Sequence, residues 1–280
     1  MSGRYNPDHV SVGRYAFAVI AVAIYALPLY LAIMNTFKTN KQIVQDPAGT
    51  PAPFTLGNVV KVLTDPESDL VPTLLRTVII TVLVVILAVV LGSMLGYYVA
   101  RHESPVTRVL MLLLLLGLAI PSQVLLIPLS QTLRAFGLMG TYAGLIVSDV
   151  GFFVPFAVLI FSRFIGSIPR ELDESANIDG AGPLRTYFSI IFPLTRPAAA
   201  SVAIFISVWV WNDFVNPLIL LGPATGTTIM AGLYRTLGQY TSDFGTTFAY
   251  MFVASLPILI IFLALQRSFI SGLTSGATKG

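Results

Sequence analysis

The sequence predicts an all-α, polytopic membrane protein with six transmembrane helices and both termini cytoplasmic. Three observations carry that expectation. The 280-residue chain is 55% hydrophobic and 10% charged, against about 25% charged residues in a soluble domain, and its mean hydropathy is +0.83. Apolar runs of the roughly 20 residues that cross a hydrocarbon core recur six times, near 15–36, 72–100, 106–133, 141–163, 195–221 and 247–269. Soluble core helices of such length would carry polar stripes. The basic residues supply the orientation. With a cytoplasmic N-terminus, one side holds Arg4, Arg14, Arg101, Arg108, Arg163, Arg170, Arg185, Arg196, Arg267 and Lys279, and the other Lys38, Lys41, Lys61, Arg76, Arg134 and Arg235. Ten against six, with an even helix number, puts both termini inside.

The first apolar run follows Arg4 and Arg14 as a signal sequence would. It is long, however, so an uncleaved anchor is expected. Residues 37–71 form an external segment in which Pro47, Pro51, Pro53 and Pro66 surround an amphipathic stretch, 54–63, predicted as a surface helix. A tight inner turn follows at 101–105, and a short outer one at 134–141 contains Gly137 and Gly140. A second external loop, 222–246, is rich in Gly and Thr. No internal repeat is evident, and the expectation is one domain over 1–280 with core helices from about 72 to 270.

Polar residues inside the spans are the candidates for a substrate path. Pro121 interrupts the third run, with Ser122, Gln123 and Gln131 nearby. Interrupted backbone is tolerated at membrane depth only where protein buries it or a wet cavity borders it. Asp149 in the fourth run and Asn212-Asp213 in the fifth are the other polar insertions, and intramembrane ionisable groups are functional candidates by default. The competing reading has these groups cap or join helices at an interface between subunits. Trp209, Trp211, Phe214 and Tyr250 offer aromatic faces on which a ligand could stack, although a Trp pair near a helix end also suits interfacial anchoring. Cysteine is absent, and His9 and His102 are too far apart in sequence to suggest a metal site. The net charge of +3 implies no nucleic-acid partner, because the basic residues lie where topology puts them.

The inner loop at 164–194 has a different character. Pro169 suits a helix start, and Glu171, Asp173 and Glu174 follow where carboxylates favour the helix dipole. Leu172 and Ala176 are spaced i, i+4 for a small apolar contact, and Gly180 can supply the left-handed stop. Pro183 restarts helix, Leu184, Phe188 and Ile191 recur near helical spacing, and Pro193 closes the segment. Two short helices joined by a glycine turn are therefore expected on the cytoplasmic face. A helix resting on lipid headgroups would present a basic face; this one opens acidic, which favours a protein partner.

Glu174-Ser175-Ala176, three residues, Gly180, nine residues, Ile190, one residue, then Phe192-Pro193 resembles the EAA loop of bacterial ABC importer permeases. Ser175 replaces an alanine and Phe192 a leucine, with the spacing intact. Trp211-Asn212-Asp213-Phe214 with Pro217 and Leu218 resembles the fifth-helix signature of maltose-type sugar permeases. Gln266-Arg267-Ser268-Phe269, Gly272-Leu273-Thr274 and the glycine-bearing end from Gly276 to Gly280 are similar to that subfamily's tail, and Phe37-Lys38 and Ile120-Pro121 also fit. The resemblance spans nearly the whole chain, and the smaller, six-helix partner of a permease pair is the closest match.

The resemblance implies a type I importer permease working with a second permease, two cytoplasmic ATPases and an extracytoplasmic solute-binding protein in a bacterial-type cell membrane. It assigns the ATPase-coupling role to Glu174, Ser175, Ala176, Gly180, Ile190 and Pro193, with Glu174 as the charged contact and Ala176 as the close-packing one. The substrate-path candidates are Ser122, Gln123, Asp149, Trp211, Asn212 and Asp213. The chain lacks a Gly-x4-Gly-Lys-Ser/Thr phosphate loop. It is therefore expected to be non-catalytic and without a cofactor of its own, ATP and Mg being bound by the partner ATPases. A carbohydrate is the expected cargo. A polyamine, oxyanion or phosphonate remains compatible with the EAA loop, and a secondary transporter is the third reading.

Overall fold

The computed structural model describes residues 12–222, 226–239 and 243–277. Arg4, His9 and Lys279 lie outside them, as do the side chains of Arg267, Ser268, Phe269 and the rest of the C-terminal tail. The helices, in chain order, are α1 Val12–Thr36, α2 Asn40–Gln45, α3 Gly57–Thr64, α4 Leu70–Arg101, α5 Pro105–Ala119, α6 Ser122–Ala135 and α7 Tyr142–Gly166. Then come α8 Glu171–Ile178, α9 Pro183–Thr186, a π-helical turn Tyr187–Ile191, α10 Phe192–Leu194, α11 Arg196–Asn212, α12 Val215–Leu220, α13 Ile229–Gln239 and α14 Phe244–Ala277. No strand occurs among the described residues, so the all-α class holds. Four of these helices are long and apolar enough to cross a membrane, or six if each of two bent pairs is one span.

Both bends have local causes. Pro121 cannot continue the hydrogen-bond ladder of α5 and pushes Ile120 out of helical geometry (φ −85°, ψ 120°). The chain turns by 105° there, so the third apolar run is two short helices rather than one rod. The second bend, 75°, falls between α10 and α11 at the fully buried Thr195, whose Oγ1 donates to the Phe192 carbonyl at 2.8 Å. Pro193, expected to close its segment, instead sits inside α10. The fifth run stops early as well: Asp213 adopts extended backbone (φ −69°, ψ 126°), and α12 starts afresh at Val215.

The chain divides into two compact units, 1–68 with 235–255 and 69–234 with 256–280. In the first, Lys38 is 1% exposed, its ammonium donating to the carbonyls of Asp46 (2.8 Å) and Pro47 (3.1 Å). Asn58 Nδ2 donates to the carbonyls of Thr36 and Lys38 at the end of α1. Phe37 stacks on Phe54 and meets Phe252 edge-on. Lys61 on α3 pairs with Asp243 at 2.7 Å. The surface helix expected at 54–63 is α3, which buries Val62.

The second unit is built on α4 and α7, with α11 packed against both. Ala88, Gly92 and Gly96 make a buried stripe of small residues along α4, which lets the two backbones approach closely. A Cβ added at Gly92 would overlap Ala157, and one at Gly96 would lie 2.8 Å from the Phe161 Cβ. Around this contact Ile80, Val84, Phe153, Phe161, Ile165, Ile191, Val202 and Ile206 form the core.

Candidate functional site

Two features of the second unit collect the polar residues. At the loop end, α8 begins with Glu171, Asp173 and Glu174 in its first turn and stops at Gly180 in left-handed backbone (φ +79°). Gly180 N–H donates to the Asn177 carbonyl and Ala181 N–H to that of Ala176, which satisfies the helix end. Nothing lies within 4 Å of where a Gly180 side chain would begin, so glycine is required there by backbone conformation and not by space.

The loop is tied to the bundle by contacts that the sequence does not announce. Tyr97 Oη donates to Asp173 Oδ1, and Arg101 Nη2 lies 2.8 Å from Asp173 Oδ2. The Arg101–Asp173 contact is a charge pair and not an aligned hydrogen bond. Arg101 Nη1 also donates to the carbonyls of Ile165 (3.3 Å), near the end of α7, and Ile168 (3.1 Å), just beyond it. A second, exposed pair, Arg170–Glu103, adds little in water. Deeper in, Tyr187 is 2% exposed, and its hydroxyl lies 2.6 Å from Ser93 Oγ on α4. Its ring lies among Tyr97, Phe188 and Phe192.

The loop therefore has two faces. Inward go Ala176 (4% exposed), Tyr187 and Ile191, with Ile190 and Pro193 partly covered. Outward go Glu174, Ser175, Gly180, Leu184 and Phe188, together with Ile178, which is 87% exposed. Ala176, assigned to close packing with a partner, packs within its own chain. Leu184 and Phe188 share the outer face while Ile191 is in the core, so the three do not form one stripe. Tyr97 and Tyr187 are the residues that sequence reasoning missed, and it missed the pairing of Arg101 with Asp173, which it read only as a topology charge and a helix-dipole carboxylate. Only Tyr187 carried a signal, its i, i+4 spacing with Ile191.

Toward the other end of α7 and α11 lies a cavity of about 490 Å3. Ser122 and Gln123 reach it from the start of α6, Asp149, Phe152 and Phe153 from α7, and Trp209 and Asn212 from α11; Asp213 through Asn216 close it. The break at Pro121 and the break at Asp213 both border this space. Five of the six path candidates thus converge. The sixth, Trp211, is 2% exposed and faces away, and Trp209 lines the wall in its place. Gln131 is exposed on α6 outside the lining, and Tyr250 is fully buried in the first unit. Asp149 is 4% exposed, while Asp213 Oδ1 accepts from the Asn216 N–H at 3.3 Å. Asn212 Nδ2 donates to the Val208 carbonyl within α11. No group of three or more His, Cys, Asp or Glu able to hold a metal occurs among the described residues.

Comparison with known proteins places this architecture. Residues 88–274 match the family described as binding-protein-dependent transport system inner membrane component. The chain is 32% identical over 275 residues to the multiple sugar-binding transport system permease protein MsmG of Streptococcus mutans, covering 95% of this chain and 96% of that protein. It is 35% identical over 277 residues to the glucose import system permease protein GlcU of Saccharolobus solfataricus, covering 96% of each. In fold it is similar to a chain of a bacterial ABC transporter involved in import of the acidic polysaccharide alginate, with a TM-score of 0.79 over 96% of this chain and 99% of that one, at 17% identity. With its helices breaking around a polar cavity at one end and holding a two-faced loop at the other, the chain belongs to the family of binding-protein-dependent transport system inner membrane components.

Proposed function

We propose that the chain is a single permease domain of an ATP-driven carbohydrate importer, crossing the cell membrane six times with both termini cytoplasmic. Its relatives MsmG and GlcU are named as permeases for multiple sugars and for glucose, which supports the choice of cargo. Its partners would be a second permease, two cytoplasmic ATPases that bind ATP and Mg, and an extracytoplasmic solute-binding protein.

The observation that carries the reading is the two-faced loop. An element anchored by Asp173 and Tyr187 on one side, and offering Glu174, Ile178, Leu184 and Phe188 on the other, suits docking to a moving protein. Docking there lets a partner push on α7 and α11, the two helices that run from the loop to the cavity. From Asp149 to Gly166 is about 25 Å of helix, so displacement at the loop reaches the cavity walls through two stiff struts. ATPase closure would then shift the packing around α4 and open the cavity alternately to each side. Glu174 supplies the charge for a basic group of the ATPase, Ser175 lies beside it, Ala176, Ile190 and Pro193 hold the loop to the bundle, and Gly180 sets the angle between its helices.

Gly180→Asp is the decisive variant, because it penalises the positive φ without meeting any neighbour. The expected outcome is normal membrane insertion with loss of sugar uptake by the reconstituted complex. Copurification of the tagged chain without any ATPase would refute the assignment, and so would full transport by Gly180→Asp.

A further inference from the structure

We propose that the cavity between α6, α7 and α11 selects a sugar carrying a protonated amine, held through Asp149 with Asp213 beside it. The inference rests on the carbohydrate-permease reading and narrows it to a basic glycoside.

Asp149 is 4% exposed, lines the cavity, and has no hydrogen-bond or ion-pair partner among the described residues. An ionised carboxylate buried in that condition is costly, so such a group either keeps its proton or meets a cation, and the space it faces is the place for that cation. The wall contains a second carboxylate, Asp213, and no Lys, Arg or His. Two carboxylates on one small cavity repel an anionic ligand, and a neutral sugar gives them hydroxyl donors without charge. A protonated amine gives both, and the charge-assisted hydrogen bond is the stronger kind. The remaining lining fits the rest of such a ligand. Gln123 and Asn212 offer amide groups to hydroxyls, while Trp209 and Phe214 offer faces for a sugar ring and for cation–π attraction. A cavity of about 490 Å3 is in the range of sites that enclose small ligands.

The test uses the assembled importer complex in nanodiscs, without the solute-binding protein, at a pH where the amine is protonated. Calorimetry compares the β-1,4-linked glucosamine disaccharide with its N,N′-diacetyl form and with a diuronate of the same length. The expected result is a preference for the free-amine disaccharide of about tenfold over the acetylated one, with the diuronate weakest. Asp149→Asn and Asp213→Asn should each collapse the preference while the complex stays intact. Equal binding, a preference for the acetylated or acidic disaccharide, or no saturable binding of any of the three overturns the proposal. So does loss of the second permease from the Asp149→Asn complex, which would make Asp149 an interface group. Should either variant fail to fold, the preference of the unmodified complex decides alone. A complex that retains its ATPases and imports a neutral sugar in an ATP-dependent manner, yet shows no amine preference, leaves the permease reading standing and removes only this inference.

Discussion

Asp173 does more than lengthen the acidic start of α8. Its two oxygens take Tyr97 and Arg101 from the end of α4, with Arg101 only 9% exposed at its side chain. A partly buried, charge-assisted cluster of this kind resists removal of any one member, because the others are left without partners. The Tyr97→Phe and Asp173→Asn changes should therefore be non-additive, with a coupling of about 1–2 kcal/mol in a double-mutant cycle read by thermal unfolding of the complex. Exact additivity would show the contact to be incidental. The same pair should uncouple nucleotide hydrolysis from uptake more than it lowers hydrolysis itself. Gly180→Ala tests the turn separately. With no atom in the way, its cost is the left-handed backbone alone, about 1 kcal/mol, and hydrogen exchange should rise across 171–191 and not in α4. In the sequence Gly180 stood out for its own role, and Asp173 only as one of three carboxylates opening the helix. A glycine's conformational role is local, whereas Asp173 meets Tyr97 across 76 residues of chain, a relation that only packing creates.

At the scale of elements, composition revealed the spans because lipid solubility is a sum over many residues, and Pro121 revealed one break because its effect on its neighbours is covalent. The stop at Asp213 was hidden, since an acidic residue within an apolar run is equally compatible with a continuing helix. The side of α11 that faces the cavity was hidden too. Trp209 and Trp211 lie two residues, or about 200°, apart around the helix, and only the packing of α4 and α7 decides which one is inside. That packing can be tested directly. Gly92→Leu places a side chain where Ala157 already sits, at an expected cost of about 1–3 kcal/mol or more. Gly117→Ala on α5 meets nothing within 4 Å and should be close to neutral. Comparable thermal stability of the two variants would disprove the close α4–α7 approach. In the first unit, the link between α3 and the start of α14 is ionic. Burial raises the Asp243 carboxyl, but hydrogen bonds from Lys61 and Thr246 outweigh it and hold the group below the usual carboxylate range. A depressed pKa contributes stability above the unfolded value, about 3.9, and that stability is lost as pH falls through the folded value. Protection against hydrogen exchange at the start of α14, taken relative to the intrinsic rate at each pH, should thus be flat from neutral pH to about 5 and fall only in stronger acid. Lys61→Met should bring the folded value of Asp243 up toward the unfolded one and so shrink this acid-linked loss of protection.

At the scale of the whole molecule, the coupling face ought to be separable from the fold that carries it. Leu184 is 66% exposed and Phe188 51%, and they lie one helical turn apart on the outer side of the loop. Tyr187, next in sequence to Phe188, is buried against Ser93. Exposed apolar groups in water contribute nothing to the fold by being apolar, so charge at either position should leave the chain's own stability within about 0.5 kcal/mol. A partner that covers them would feel the change fully, since burying a charge without a counter-ion is costly and truncating or repelling an interface anchor commonly costs 2 kcal/mol or more, about thirtyfold in affinity. Phe188→Glu should therefore insert and melt normally yet lose most of its ATPase on copurification, whereas Tyr187→Phe should keep the ATPase and lower the melting temperature. If Phe188→Glu retained its ATPase at the unmodified level, the docking surface would have to lie elsewhere on the loop, and Glu174 with Ile178 would be the remaining candidates. If the two variants behaved alike, the division into an inner anchor and an outer face would be wrong, and the loop would act as a single packed element.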